Sequence, residues 1–296
     1  VREPEIELLC SQLASYYVFP DTAAEIATVL RSRLAEGAYA DAADDEEFAA
    51  RVTKDLQSVN GDKHLRLLHS EAEVPDNGQE FAWDQEAYRK EAEQDAFGIT
   101  RIERLEGNIG LLKLRMLHDA EIATPAVTAA MNLIAHTDAL IIDLRDNVGG
   151  DPNTVALICS YLFDERFHLN DIYDRTTDTT EQYWTLPFVP GPKFGGKKPI
   201  YVLTSSRTFS GAEELSYNLQ QTKRATLIGE TTRGGAHPGS RYRVGPHLKS
   251  AVPNGRSINP ISGTNWEAVG VVPHIAVPAD EAFEVAYEKA TSKTGD

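Results

Sequence analysis

The sequence predicts an α/β fold carrying a small helical domain at its N-terminus. Two patterns lead there: amphipathic helical spacing fills the stretch before residue 60, and short apolar strands alternate with helices after residue 107. A length of 296 residues exceeds that of a typical single domain, which suits one main body with a smaller appendage. With 21 Gly and 15 Pro, the chain has the material for many turns and no low-complexity tail.

The elements follow in order. IELLCSQLASYYVF, TAAEIATVLRSRLAEG and DDEEFAARVTKDLQSV each repeat apolar residues three and four apart, and Asp21 and Asp44 stand where N-caps belong. This helical domain is drawn over residues 1–72, with the turn NGD at 60–62 and an extended HLRLLHSE after it. Residues 73–107 are polar, acidic and poorly periodic, a connector with one strand and a short helix. The α/β core is drawn over 108–296. It begins with the strand GNIGLLKLRML, the helix TPAVTAAMNLIAHT, the strand ALIIDLR and the helix PNTVALICSYLF. FHLNDIYDR and TTEQYWTL suggest a hairpin excursion, and PFVPGPKFGGKKP a long loop, a candidate lid. PIYVLTS, SGAEELSYNLQQ and ATLIGE continue as strand, helix and strand; SRYRVGPHLKSAV predicts another hairpin and EAFEVAYEKA a closing helix.

Composition excludes several functions. Twenty-nine basic against 45 acidic residues give a formal charge of −16, which repels phosphate backbones and anionic lipids, so no nucleic-acid partner is expected. No stretch is long and apolar enough to cross a bilayer, and a soluble, cytoplasmic protein is expected unless a leader has been removed. Cys10 and Cys159 lack metal-ligand spacing and read as buried small hydrophobes. The eight histidines are scattered, and no P-loop or paired-carboxylate motif occurs, so neither metal nor cofactor is expected.

The most informative stretch is VLTSSRTFSGAEEL, where a strand runs through small polar residues into a helix. A serine at Ser210 projects from the strand end, backbone N–H groups at the helix start can stabilise an oxyanion, and Gly211 lets a substrate approach closely. Ser210 also reads as a plain N-cap, with Glu213 completing a capping box. In ALIIDLRDNVGGD, Gly149 or Gly150 can present a second N–H to an oxyanion, or simply serve a tight turn.

Taken in order, LIIDLRDNVGGD, TSSRTFSGAEE and IGETTRGGAHPG make the chain resemble the tail-specific (C-terminal processing) proteases, peptidase family S41. The resemblance is closest to the branch without a PDZ domain, which includes the tricorn-protease core and the repeated modules of interphotoreceptor retinoid-binding protein (IRBP). It implies a crotonase-like or Clp-protease-like ββα core and a serine nucleophile at Ser210. The processing proteases place a lysine base in the loop after the GE strand; here that position is Gly235, so the resemblance implies a histidine base instead. The D-x-H of Asp62 to His64 matches the tricorn-like branch and implies His64 as base, and NWEAVGVVP implies Glu267 as its orienting carboxylate. Such a triad is defined by geometry and not by chain order. His237, in the GGAHPG loop, is the rival base and otherwise a substrate contact, together with Gly235 and with Trp184 of the EQYWTLP segment. Glu267 also reads as an ion-pair partner for Arg233 or Arg256. His274 stands where the terminal motif usually carries an acidic residue. The implied activity is peptide or ester hydrolysis through an acyl-enzyme. The alternatives are a pocket for lipophilic ligands, as in the IRBP modules, and acyl transfer or cyclisation on a small metabolite. Crotonase-like cores often self-associate, so a homo-oligomer is compatible with the resemblance.

Overall fold

The structure is a computed structural model that describes residues 2–76 and 84–294. Its packing divides the chain into two compact units, both discontinuous in sequence. The smaller comprises Val1–Trp83, Ile172–Glu181 and His237–Ser257, and the larger Asp84–Asp171, Gln182–Ala236 and Ile258–Asp296. The sequence predicts continuous domains with boundaries at 72 and 107, and the packing draws them differently because a short strand near residue 66 finds its partners late in the chain.

In the smaller unit, helices α1 (Glu3–Tyr16), α2 (Pro20–Ala35) and α3 (Asp45–Leu56) enclose Ile6, Leu9, Leu13, Ile26, Leu30, Phe48 and Val52. Asp44 caps α3 through the Glu47 N–H at 2.8 Å. Asp21 does not cap α2; Pro20 opens that helix and Phe19 takes the cap position, because proline at the first turn forfeits only an N–H that would have no helical partner. β1 (Arg66–His69) pairs antiparallel with β10 (Leu248–Pro253), which pairs with β9 (Gly239–Gly245). Leu67, Val244, Leu248 and Val252 carry the apolar face of that sheet into the helical core.

Of the connector expected over 73–107, residues 77–83 lie outside the described residues. The rest holds α4 (Gln85–Gln94), a short 3-10 turn (Ala96–Gly98) and β2 (Ile99–Leu105). β2 opens the six-stranded sheet of the larger unit, ordered β12-β8-β7-β4-β3-β2. It runs antiparallel to β3 (Ile109–Leu114), while β4 (Ala139–Asp143), β7 (Ile200–Thr204), β8 (Thr226–Gly229) and β12 (Ile275–Ala276) continue parallel. β4 and β7 are buried at every residue, as expected for central parallel strands covered on both faces. On one face α5 (Ala120–Ile134), α6 (Pro152–Leu162) and α7 (Gly211–Gln221) contribute to the principal core; α8 (Ala282–Thr294) packs Ala282, Ala286 and Ala290 with Ile109, Ile141, Leu203 and Ile228.

β5 (His168–Asp174) and β6 (Thr179–Trp184) form the expected hairpin, and β11 (Gly255–Ile258) pairs beside β5. The long loop after β6 is fastened, which argues against a freely moving lid. Pro190 O accepts the Tyr161 hydroxyl at 2.9 Å, and the half-buried Arg224 guanidinium donates to the carbonyls of Gly195, Leu162 and Lys198. Cys10 and Cys159 are buried free thiols, and no helix among the described residues is long and apolar enough to cross a membrane.

Candidate active site

β7 ends at Thr204 and α7 begins at Gly211, and the turn between them delivers Ser210 with φ 54° and ψ −122°. That conformation favours glycine and costs a side-chain-bearing residue about 1–3 kcal/mol, so other contacts must hold it. Glu213 supplies them. Its Oε2 accepts the N–H groups of Ser210 and Gly235, each at 2.9 Å, and its Oε1 accepts the Gly234 N–H at 2.6 Å and the Thr232 hydroxyl. Burial pushes the Glu213 carboxyl up, and those four hydrogen bonds offset the effect only in part. The capping-box reading and the nucleophile reading are therefore compatible, since the box braces a strained turn. Ser210→Gly is expected to be more stable than Ser210→Ala by about 1 kcal/mol, because glycine adopts this conformation without strain. Coincident urea midpoints for the two variants would show that no strain is stored.

The glycine loop after β4 lies against this turn. A Cβ built on Gly149 would stand 2.7 Å from Ser210 Cβ, and one built on Gly211 would stand 2.7 Å from Gly150 O. The expectation that either Gly149 or Gly150 could serve an oxyanion is narrowed: the Gly149 N–H donates to Asn147 Oδ1 at 2.8 Å and is committed.

Gly235 is committed on both sides, donating to Glu213 and accepting from Trp266 Nε1 at 2.7 Å. Any contact it makes with substrate is therefore one of packing, since both its polar groups are engaged within the protein. One residue on, the Ala236 N–H donates to Glu267 Oε2 at 2.5 Å, while the Glu267 N–H is held by Asn265 Oδ1 at 2.9 Å. Ser210 and Glu267 are therefore joined within the larger unit through one hydrogen-bond network that runs by way of the Glu213 carboxylate, Gly235 and Trp266. Trp184 stacks on His168, with ring centroids 4.4 Å apart and planes 6° apart, and the Arg166 guanidinium lies over the indole. His274 Nδ1 accepts the Leu227 N–H at 2.9 Å and so secures β8.

The two candidate bases belong to the smaller unit. His64 is half-buried, and its backbone N–H donates to Asp62 Oδ1 at 3.0 Å. His237 is buried, edge-on to Phe19, with Nδ1 2.9 Å from Asp62 Oδ2. The same Asp62 oxygen accepts the Tyr17 hydroxyl at 3.0 Å. Burial pushes the Asp62 carboxyl up, but the hydrogen bond from His237, the charges of His237 and His64 and the Tyr17 hydroxyl outweigh it and leave Asp62 below the usual carboxylate range. Asp62 and Glu213, the two carboxylates that organise these segments, were not singled out as site residues from sequence. Each carried a signal, Asp62 in the D-x-H spacing and Glu213 in the capping-box spacing.

Glu214, beside Glu213 in α7, is fully buried near the side-chain amides of Asn170 and Asn218. Burial dominates their hydrogen bonds and pushes the carboxyl up to about 8.

A strained serine delivered by a parallel strand to a helix start places the larger unit among the serine-hydrolase folds. The comparisons with known proteins narrow that class. The family model for peptidase family S41 matches residues 108–277. A second, described as the N-terminal domain of peptidase S41 in eukaryotic IRBP, matches residues 5–96. The first match covers more than half of the chain, and the chain belongs to peptidase family S41. Carboxyl-terminal-processing peptidase 2, chloroplastic, of Arabidopsis thaliana is 29% identical over 191 residues, which make up 59% of this chain and 34% of that protein. The chain thus spans about a third of that relative's length. Among solved structures, a candidate peptidase of Parabacteroides merdae superposes with a TM-score of 0.67 at 18% identity, covering 98% of this chain and 97% of that one. The tricorn protease superposes with a TM-score of 0.61 at 12% identity, covering all of this chain and 37% of its own. Both likenesses are of fold.

Proposed function

We propose that the protein is a serine peptidase working through an acyl-enzyme, with Ser210 as nucleophile, His64 as general base and Glu267 orienting that base. The observation that carries this reading is the strained Ser210 turn, braced by Glu213 and faced by the glycine loop. Backbone strain of this kind persists only where surrounding contacts enforce it, and it exposes a hydroxyl at a helix start where developing negative charge is stabilised. Neutral imidazole takes the hydroxyl proton as the oxygen attacks a peptide carbonyl; the imidazolium then protonates the leaving amine, and water releases the acyl group. His64 is preferred to His237 because a base must be reachable by substrate, whereas the His237 ring is buried and tied to Asp62. The Glu267 carboxylate accepts the Ala236 N–H and its backbone N–H is held by the Asn265 side chain, which suits a carboxylate that holds one orientation.

The test is labelling with a fluorophosphonate followed by peptide mapping. Modification is expected on Ser210, abolished by His64→Ala and retained by His237→Ala. A folded protein that resists the reagent sinks the reading, and the reverse pattern for the two histidines transfers the base to His237.

A further inference from the structure

We infer that the outer side of β2, with the apolar groove beside it, is the surface on which a second copy of this chain docks, the two β2 strands pairing antiparallel about a two-fold axis through Ile102. β2 ends the six-stranded sheet, and among the described residues no strand pairs with its outer side. A strand in that position presents a row of backbone N–H and C=O groups that another strand can take up. The groove beside it is formed by β2, the turn before it and α5. It holds about 450 Å³, and Phe97, Ile99, Ile102, Ala126, Ala129 and Leu133 are among the residues that line it. Phe97, Ile99 and Ile102 reach the principal core from there, whereas Leu133 of α5 is 72% exposed. A leucine that open, next to an unpaired strand, is the kind of surface a partner removes from water.

The identity of the partner follows from the charges along β2, whose sequence is ITRIERL. Antiparallel strands related by a two-fold axis set opposite one another residues that point to the same face, so the axis passes through a residue. Placed at Ile102, it sets Arg101 against Glu103 of the second copy, Glu103 against Arg101, and Ile102 against itself. Placed at Arg101, Glu103 or Arg104, it sets like charges directly opposite, which is destabilising. One register thus matches the charges of the strand, and its neighbours oppose them. Within one copy Arg101 Nε donates to Glu103 Oε2 at 2.8 Å, and the two side chains are 53% and 43% exposed, so both remain at the surface for a partner to meet. A foreign strand would need this pattern by coincidence, whereas a second copy carries it by identity. The bulge between Ile99 and Arg101 keeps the regular stretch short, and so short a pairing is marginal in water by itself. The two-fold axis preserves the faces of the sheet, however, and brings the two grooves together on one side, with Ala129 and Leu133 of each α5 between them.

The experiment is sedimentation equilibrium of the full chain at about 0.15 M salt, which screens the mutual repulsion of two chains each carrying −16. Wild type is expected to form a reversible dimer. Arg101→Glu and Glu103→Arg each set like charges across the axis, and each is expected to weaken dimerisation about tenfold or more. The double variant restores opposite charges and is expected to recover the dimer. An equimolar mixture of the two single variants is expected to form a heterodimer, because one chain then offers glutamate at both positions and the other arginine. Leu133→Asp is expected to leave a folded monomer, as verified by circular dichroism. Should one single variant fail to fold, the double variant and Leu133→Asp still decide. Wild-type protein that stays monomeric at about 100 µM, a concentration that fills any interface of micromolar Kd, overturns the proposal and leaves the groove to a strand of another protein. A dimer indifferent to all these substitutions overturns it as well, since it uses another face. A dimer lost in Leu133→Asp but blind to the charge changes, or one that the double variant does not restore, overturns the axis through Ile102.

Discussion

Replacing Ser210 with alanine is expected to lower kcat for peptide or ester hydrolysis on the order of 10⁴- to 10⁶-fold. In the proposed mechanism the hydroxyl oxygen forms the new bond, and none of the remaining groups can replace it. The residual rate comes from the backbone donors, which the substitution leaves in place. The fold is expected to survive, because Glu213 grips residue 210 through its backbone N–H and keeps that hydrogen bond whatever the side chain. Turnover should therefore fall while the melting temperature stays within a few degrees. An alanine protein that retains its turnover would show that the chemistry resides elsewhere.

The second large effect concerns stability and pH. Glu214 holds its proton up to about pH 8 in the folded chain, against an ordinary value of 4.5. The folded state therefore binds a proton that the unfolded state releases through this interval. The resulting stabilisation is complete below 4.5 and is lost as the pH rises through 8, amounting to roughly 5 kcal/mol at the extremes. Glu214→Gln removes the titrating group and keeps its shape. Its unfolding free energy is expected to match the wild type near pH 4 and to exceed it by several kcal/mol at pH 9, as read from urea unfolding across that range. Parallel pH profiles for the two proteins would place the ionisable group in a better-solvated setting than the one described.

Much of the larger unit was legible in the sequence because its strands and helices announce themselves by composition. ALIIDLR and PIYVLTS are apolar runs too short for helices, and they became β4 and β7; PNTVALICSYLF and SGAEELSYNLQQ became α6 and α7. The Ser210 turn was legible as a strand entering a helix, although its left-handed backbone angle was not, since that angle is imposed by Glu213 and the loop it grips. The limits of the smaller unit were hidden for another reason. Strand pairing between positions as distant as Arg66 and Ala251 leaves no local pattern, because alternation reports which face is apolar and says nothing about the neighbouring strand. Asn147 did offer a signal, an asparagine two residues ahead of a glycine, which suits a side-chain turn. Its burial, and the loss of the Gly149 N–H to it, come only from packing.

The late pairing of β1 has a consequence during synthesis. At about 5–20 residues per second, the ribosome needs roughly 10–40 s to travel from β1 to its partner. Throughout that interval α1–α3 have emerged while the strand that closes their sheet does not yet exist. The nascent chain thus exposes an unsatisfied strand edge, the kind of surface that recruits chaperones or neighbouring copies. Slower translation lengthens that exposure, so yield of native protein becomes a question of elongation rate as much as of final stability.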